Sequence, residues 1–236
     1  MIRKYIPDAL TLMNAFCGSV ATVFAFQGRY PLAAGFIVLA AVFDFFDGFA
    51  ARLLHAGSEI GKELDSLSDL ISFGMAPSAM VYSFLQLHLQ ESVLGAEHWT
   101  WLSFAVFIMV AASALRLARF NLDPRQTSDF IGLPTPANAI FWAFGILGFQ
   151  QDNRVDPLWI LAGVLVFSWL LNCALPMFSL KFKHFHWKGN ELRYLFLAGI
   201  LPILGLLGLR GLAICILWYI ILCTIAWRYR SRHSLS

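Results

Sequence analysis

The feature that most restricts this chain is a succession of apolar runs: near Ala9–Phe26, Pro31–Leu54, Ser58–Leu87, Trp99–Asn121, Ile131–Phe149, Pro157–Leu175, Glu191–Leu207 and Gly211–Trp227. A bilayer core about 30 Å thick takes roughly 20 helical residues to cross. Lipid offers no partner to backbone N–H and C=O groups, so each run must satisfy them internally as a helix. Composition agrees: 59% of the residues are hydrophobic and 13% charged, against roughly 25% charged in a soluble domain. The expected fold class is all-α, a polytopic membrane helical bundle of about eight transmembrane helices. A soluble globular domain is excluded.

The third run is longer than a span requires, with Pro77 as a candidate kink. The last two runs are joined by a very short turn. With no internal repeat or linker, residues 1–236 are expected to form one membrane-embedded domain, with a core over about 5–176 and an extra helical hairpin over about 191–228. Met1–Asp8 is basic, but no small-residue cleavage site follows a short apolar core, so the first helix is expected to serve as an uncleaved insertion signal. Cys17, Cys173, Cys215 and Cys223 lie inside apolar runs without paired spacing and read as small buried hydrophobes.

Charge placement orients this topology. With eight crossings, Arg29, Arg154 and Arg210 fall on one side, and the other 14 of the 17 basic residues fall on the opposite side. By the positive-inside rule both termini and the turn at Gly57 face the cytoplasm.

Against this apolar background, Asp44–Asp69 (DFFDGFAARLLHAGSEIGKELDSLSD) gathers four carboxylates, Asp44, Asp47, Asp65 and Asp69. Asp44 and Asp47 are three apart, Asp65 and Asp69 four apart, so each pair shares one helix face. His55-Ala56-Gly57-Ser58 reads as a helix stop with Gly57 at C′ and a restart with Ser58 as N-cap. A reversal at Gly57 brings the two pairs level, roughly 12 to 20 Å from the turn at about 1.5 Å per residue. Four like charges do not gather bare in low dielectric. Two hard divalent cations with oxygen ligands resolve the repulsion.

The spacing Asp44-x2-Asp47-Gly48-x2-Ala51-Arg52-x8-Gly61-x3-Asp65-x3-Asp69 resembles the CDP-alcohol phosphotransferase signature at every fixed position. The flanking segments Leu64–Ser78, Arg116–Asn121 and Gly132–Asn138 are similar to the phosphatidylserine synthase branch of that family. The resemblance is close from Tyr5 to mid-chain and rests on hydropathy beyond. It implies two Mg²⁺ or Mn²⁺ ions held by Asp44, Asp47, Asp65 and Asp69, with Asp69 also the general base. It further implies CDP-diacylglycerol as donor, L-serine as acceptor, CMP as leaving group, a homodimer, and an integral membrane location with the active site facing the cytoplasm. No nucleic-acid partner is expected.

Around the acids, Gly48, Ala51 and Gly61 read both as close-packing positions and as space for a nucleotide. Arg52 ends the second helix, as a snorkelling anchor or a phosphate contact, and Ser58 is an N-cap or a phosphate site. Asp8, Thr11 and Asn14 make a polar stripe on the first helix, of which Thr11 and Asn14 are candidate substrate contacts. Arg116 and Arg119 are membrane-edge anchors or a grip on the donor phosphate or the acceptor carboxylate. Gly132–Asn138, with two prolines, is expected to be a shaped loop opening the fifth helix. Lys181–Lys188 reads as an interfacial anchor for anionic lipid. Two alternatives compete: the same chemistry on glycerol 3-phosphate or inositol phosphate, and a divalent-cation transporter using the acids as its pathway.

Overall fold

A computed structural model describes residues 5–56, 58–89, 101–123, 130–150, 156–179, 186–187 and 189–233. Among them the chain is a helical bundle. α1 (Tyr5–Phe26) and α2 (Tyr30–Leu53) form an antiparallel pair. They are followed by α3 (Glu59–Asp69), a π-helical turn at Leu70–Met75, and α4 (Ala76–Leu89). α5 (Ile108–Leu122), α6 (Thr135–Phe149), α7 (Pro157–Asn172), α8 (Glu191–Leu207) and α9 (Gly211–His233) complete the bundle.

Among the described residues, five stretches are long and apolar enough to cross a membrane: Tyr5–Phe26, Tyr30–Leu53, Glu59–Leu87, Trp101–Leu122 and Glu191–Tyr229. The last contains both α8 and α9, divided at Gly208–Arg210. α6 and α7, at 15 and 16 residues, are apolar but shorter than a full span. Large apolar side chains such as Phe45, Trp169 and Leu206 point away from the bundle, the arrangement expected where lipid is the solvent.

Small residues let the first helices approach closely. Gly18, Ala21 and Ala25 on α1 and Ala33, Ala34 and Ala40 on α2 are buried, and without large side chains the two backbones pack tightly. α3 and its π turn lie along α1, and α6 packs against α2, α4, α9 and the same π turn. The acids are therefore carried on helices that pack closely against α1.

Several sequence-based boundaries move. The chain stays helical through the expected kink, and the distortion is a π turn that ends just before Pro77. Proline lacks the N–H for an α bond and crowds the carbonyl four residues back, and a wider turn accommodates both faults. α2 stops at Leu53, earlier than a Gly57 C′ requires. Its end is a Schellman motif in which Ala56 N–H donates to Ala51 C=O (3.0 Å) and His55 N–H to Arg52 C=O (3.4 Å). His55 is the left-handed residue, at φ 49°, a conformation histidine adopts more readily than most side chains. Gly57 itself lies outside the described residues, as do Arg125 and most of the Lys181–Lys188 segment.

The fifth and sixth runs meet in an unforeseen two-stranded ribbon. β1 (Phe130–Ile131) pairs antiparallel with β2 (Pro176–Met177). Gly132 follows β1 at φ 77°, and a Cβ there would stand 2.5 Å from the Leu171 carbonyl oxygen. Only glycine meets both demands. α6 therefore begins at Thr135 rather than Ile131, and α7 ends at Asn172 because Cys173 is extended.

Candidate active site

Asp44 and Asp47 project from the last turns of α2, Asp65 and Asp69 from α3. One carboxylate oxygen from each of Asp44, Asp47 and Asp65 lies within 4.8 Å of the others. Asp69 stands one turn further along α3 and is buried. Asp47 is also buried, while Asp44 and Asp65 are half-buried.

Two side chains of α1 hold these acids in place. Thr11 Oγ1 donates to Asp47 Oδ2 at 2.7 Å, and Asn14 Nδ2 donates to Asp69 Oδ1 at 3.1 Å. The polar stripe thus orients carboxylates on two different helices. Asp65 Oδ1 is buried without a hydrogen-bond partner among the described residues. Three clustered carboxylates with an unmet oxygen form a hard, anionic donor set that fits divalent cations binding through oxygen. Among the described residues, the side chains that donate to them, Thr11 and Asn14, are neutral.

Beside the acids opens a cleft of about 150 Å³. α1 contributes Pro7, Asp8 and Thr11; α2 contributes Asp47, Gly48 and Ala51; the turn and α3 contribute Ala56, Ser58, Gly61, Lys62 and Asp65. Thr11, Gly48, Ala51, Ser58 and Gly61 are thus brought together with two of the acids. Ser58 caps α3, its Oγ accepting from Gly61 N–H at 2.9 Å. A Cβ on Gly61 would meet Ser58 Oγ at 3.0 Å and Asp8 Oδ1 at 3.3 Å, narrowing the cleft. Arg52 is exposed at its rim, with Nη1 3.4 Å from where a Gly48 Cβ would stand.

Of the lining residues, Asp8 belongs to the polar stripe that the sequence marks on α1, whereas Lys62 is not singled out by the sequence. Asp8 lies one turn before Thr11 on that stripe. Lys62 carries only an exposed 3.9 Å contact to Glu59, and nothing in its spacing marks it.

Arg116 and Arg119 separate. Arg119 is exposed. Arg116 is buried, its Nε donating to the Leu133 carbonyl and its Nη2 to the Gly132 carbonyl at 3.3 Å. Two of its donors therefore hold the start of the α6 loop. No acidic side chain among the described residues lies within ion-pair distance of it.

A family profile described as CDP-alcohol phosphatidyltransferase matches residues 4–178. The chain belongs to the CDP-alcohol phosphatidyltransferase family. It is 34% identical over 183 residues to the CDP-diacylglycerol–serine O-phosphatidyltransferase of Bacillus subtilis, covering 77% of this chain and 92% of that protein. An archaetidylserine synthase of Methanothermobacter thermautotrophicus is 32% identical over 170 residues, covering 69% of this chain and 67% of its own. A CDP-diacylglycerol–serine O-phosphatidyltransferase of Helicobacter pylori is 29% identical over 234 residues, 94% of this chain and 91% of that protein. That similarity extends past the family profile into α8 and α9.

Proposed function

We propose that this membrane protein transfers the phosphatidyl group of CDP-diacylglycerol to L-serine, releasing CMP and forming phosphatidylserine. The observation that carries the reading is the meeting of three carboxylates from two helices beside a cleft, with Asp69 one turn further along α3, in a family whose similar members are named as serine phosphatidyltransferases.

Asp44, Asp47, Asp65 and Asp69 would hold two divalent cations, Mg²⁺ or Mn²⁺. When bound, these neutralise the pyrophosphate of the donor and the departing CMP. The chain's own groups do the rest. The small residues Gly48, Ala51 and Gly61 leave room for the nucleotide, and Arg52 and Ser58 face its phosphates at the rim. Asn14 fixes the Asp69 carboxylate, which accepts the hydroxyl proton as the acceptor oxygen forms its bond to the lipid-side phosphorus and the bond to CMP breaks. No covalent protein intermediate is needed.

The same reading extends to topology: eight crossings, cytoplasmic termini, a cytoplasm-facing site and a homodimer. The catalytic unit is taken as about 5–176, with α8 and α9 as an added hairpin. Purified protein given CDP-diacylglycerol, Mg²⁺ and an equimolar mixture of serine, glycerol 3-phosphate and inositol phosphate should release CMP and consume only serine. Preferential use of glycerol 3-phosphate would overturn the acceptor assignment, and absence of CMP release would overturn the transferase reading.

A further inference from the structure

We infer that Asn138 selects the acceptor, its side-chain amide reading the carboxylate and ammonium of a free hydroxy amino acid. The inference rests on the transferase reading above and specifies how its acceptor is recognised. Asn138 is completely buried, and neither its Nδ2 nor its Oδ1 has a hydrogen-bond partner among the described residues. Other buried polar side chains keep at least one bond, as Asn14 does to Asp69, Ser72 to Asn14 and Ser113 to Met109, or leave a single atom unmet, as Ser68 and Ser168 do; among the described residues Asn138 alone has an amide unmet at both ends. A buried amide unmet at both ends is strongly unfavourable, and a bound polar ligand removes the penalty.

Its place in the fold fits an acceptor subsite. Asn138 lies in the first turn of α6, its backbone N–H donating to Pro134 C=O at 3.1 Å. The residues just before that turn are the ones Arg116 pins. α6 packs along the π turn that directly follows Asp69. Asn138 therefore belongs to the end of α6 whose preceding loop is held by the α5 guanidinium of Arg116, on a helix that packs against the π turn following the proposed base. One turn further on, on the same face, the buried Trp142 also has an indole N–H without a partner among the described residues.

The chemistry of these groups favours a zwitterion. An amide is a neutral side chain offering both donors and an acceptor, matching a carboxylate and an ammonium respectively. Arg116 adds a positive field but spends two donors on the loop, which suits an acceptor with no net charge. A phosphorylated acceptor brings two further negative charges and calls for free cationic forks, whereas Asn138 and Trp142 offer neutral groups.

The test uses the full-length protein in detergent with CDP-diacylglycerol and Mg²⁺, comparing Asn138→Leu and Asn138→Asp with the unsubstituted chain. Asn138→Leu should raise the serine KM by about 10- to 100-fold, the loss expected for hydrogen bonds to a charged ligand. Its kcat should fall less, and its Tm without serine should be unchanged or higher, because an unmet amide is replaced by an apolar side chain of similar size. Asn138→Asp preserves the shape but loses the donors, so preference for serine over ethanolamine, which lacks the carboxylate, should fall at least about tenfold. Serine KM within about threefold in both variants, with a lowered Tm, would overturn the inference and leave the amide a structural group bonded to buried water. Failure of the unsubstituted protein to use serine would instead overturn the acceptor assignment on which the inference rests.

Discussion

Ser72 Oγ donates to the backbone carbonyl of Asn14 at 2.9 Å, while Asn14 holds Asp69 with its side chain. Ser72 sits in the π turn and Asn14 in the middle of α1, so one short contact ties the distorted turn to the proposed general base. Gly18 makes it possible. A Cβ at Gly18 would stand 2.2 Å from Ser72 Oγ and 2.6 Å from Ser72 Cα.

Gly18→Ala should therefore force α1 and the π turn apart. Trimming Ser72 does not make room, because the Cα itself is in the way. A loss of about 1–3 kcal/mol is expected, as for overpacking in a filled core, together with lower kcat as Asn14 draws away from Asp69. Ser72→Ala removes only the hydrogen bond and should cost about 1 kcal/mol. Thermal unfolding of the two variants provides the comparison, and an unshifted Tm for Gly18→Ala would contradict this packing.

Replacing any one of Asp44, Asp47, Asp65 or Asp69 by Asn should lower turnover by at least about 100-fold, because a charged ligand is lost. In EDTA the same variants should melt higher than the unsubstituted protein, since one member of a like-charged cluster is neutralised. Chelation should abolish activity, and Mg²⁺ or Mn²⁺ should restore it. Full turnover in EDTA would refute the metal assignment.

Arg116→Lys and Arg119→Lys should behave differently. An ammonium cannot reproduce the forked contact of Arg116 to the Gly132 and Leu133 carbonyls, so that variant should lose about 1–3 kcal/mol of stability and raise the serine KM. Arg119 is exposed, and its substitution should leave the Tm within about 0.5 kcal/mol equivalent. Equal melting of both variants would argue against the Arg116 clamp.

Cysteine-accessibility labelling in intact cells tests orientation. Single cysteines at Gly57, Arg125, Lys183 and both termini should be protected from an impermeant reagent, and those at Arg29, Glu97 and Asp152 should react. Termini that label from opposite sides would change the number of crossings by one.

The sequence by itself determined that the chain is a helical membrane protein and drew attention to four carboxylates, three of which, Asp44, Asp47 and Asp65, the fold brings together. Both follow from local rules: apolar run length fixes helices in lipid, and i,i+3 or i,i+4 spacing fixes which acids share a face. It also anticipated Ser58 as a helix cap and the stripe Asp8, Thr11, Asn14. What it could not assign was partnership across helices. Thr11 bonds to Asp47, Asn14 to Asp69 and Arg116 to the α6 loop at separations of 36, 55 and 17 residues, where no periodicity relates the partners. The His55 cap, the π turn before Pro77 and the ribbon at Phe130–Ile131 were likewise decided by tertiary packing. Each is a backbone choice that the residue type permits, through Pro77, His55 and Gly132, and that the neighbouring helix selects.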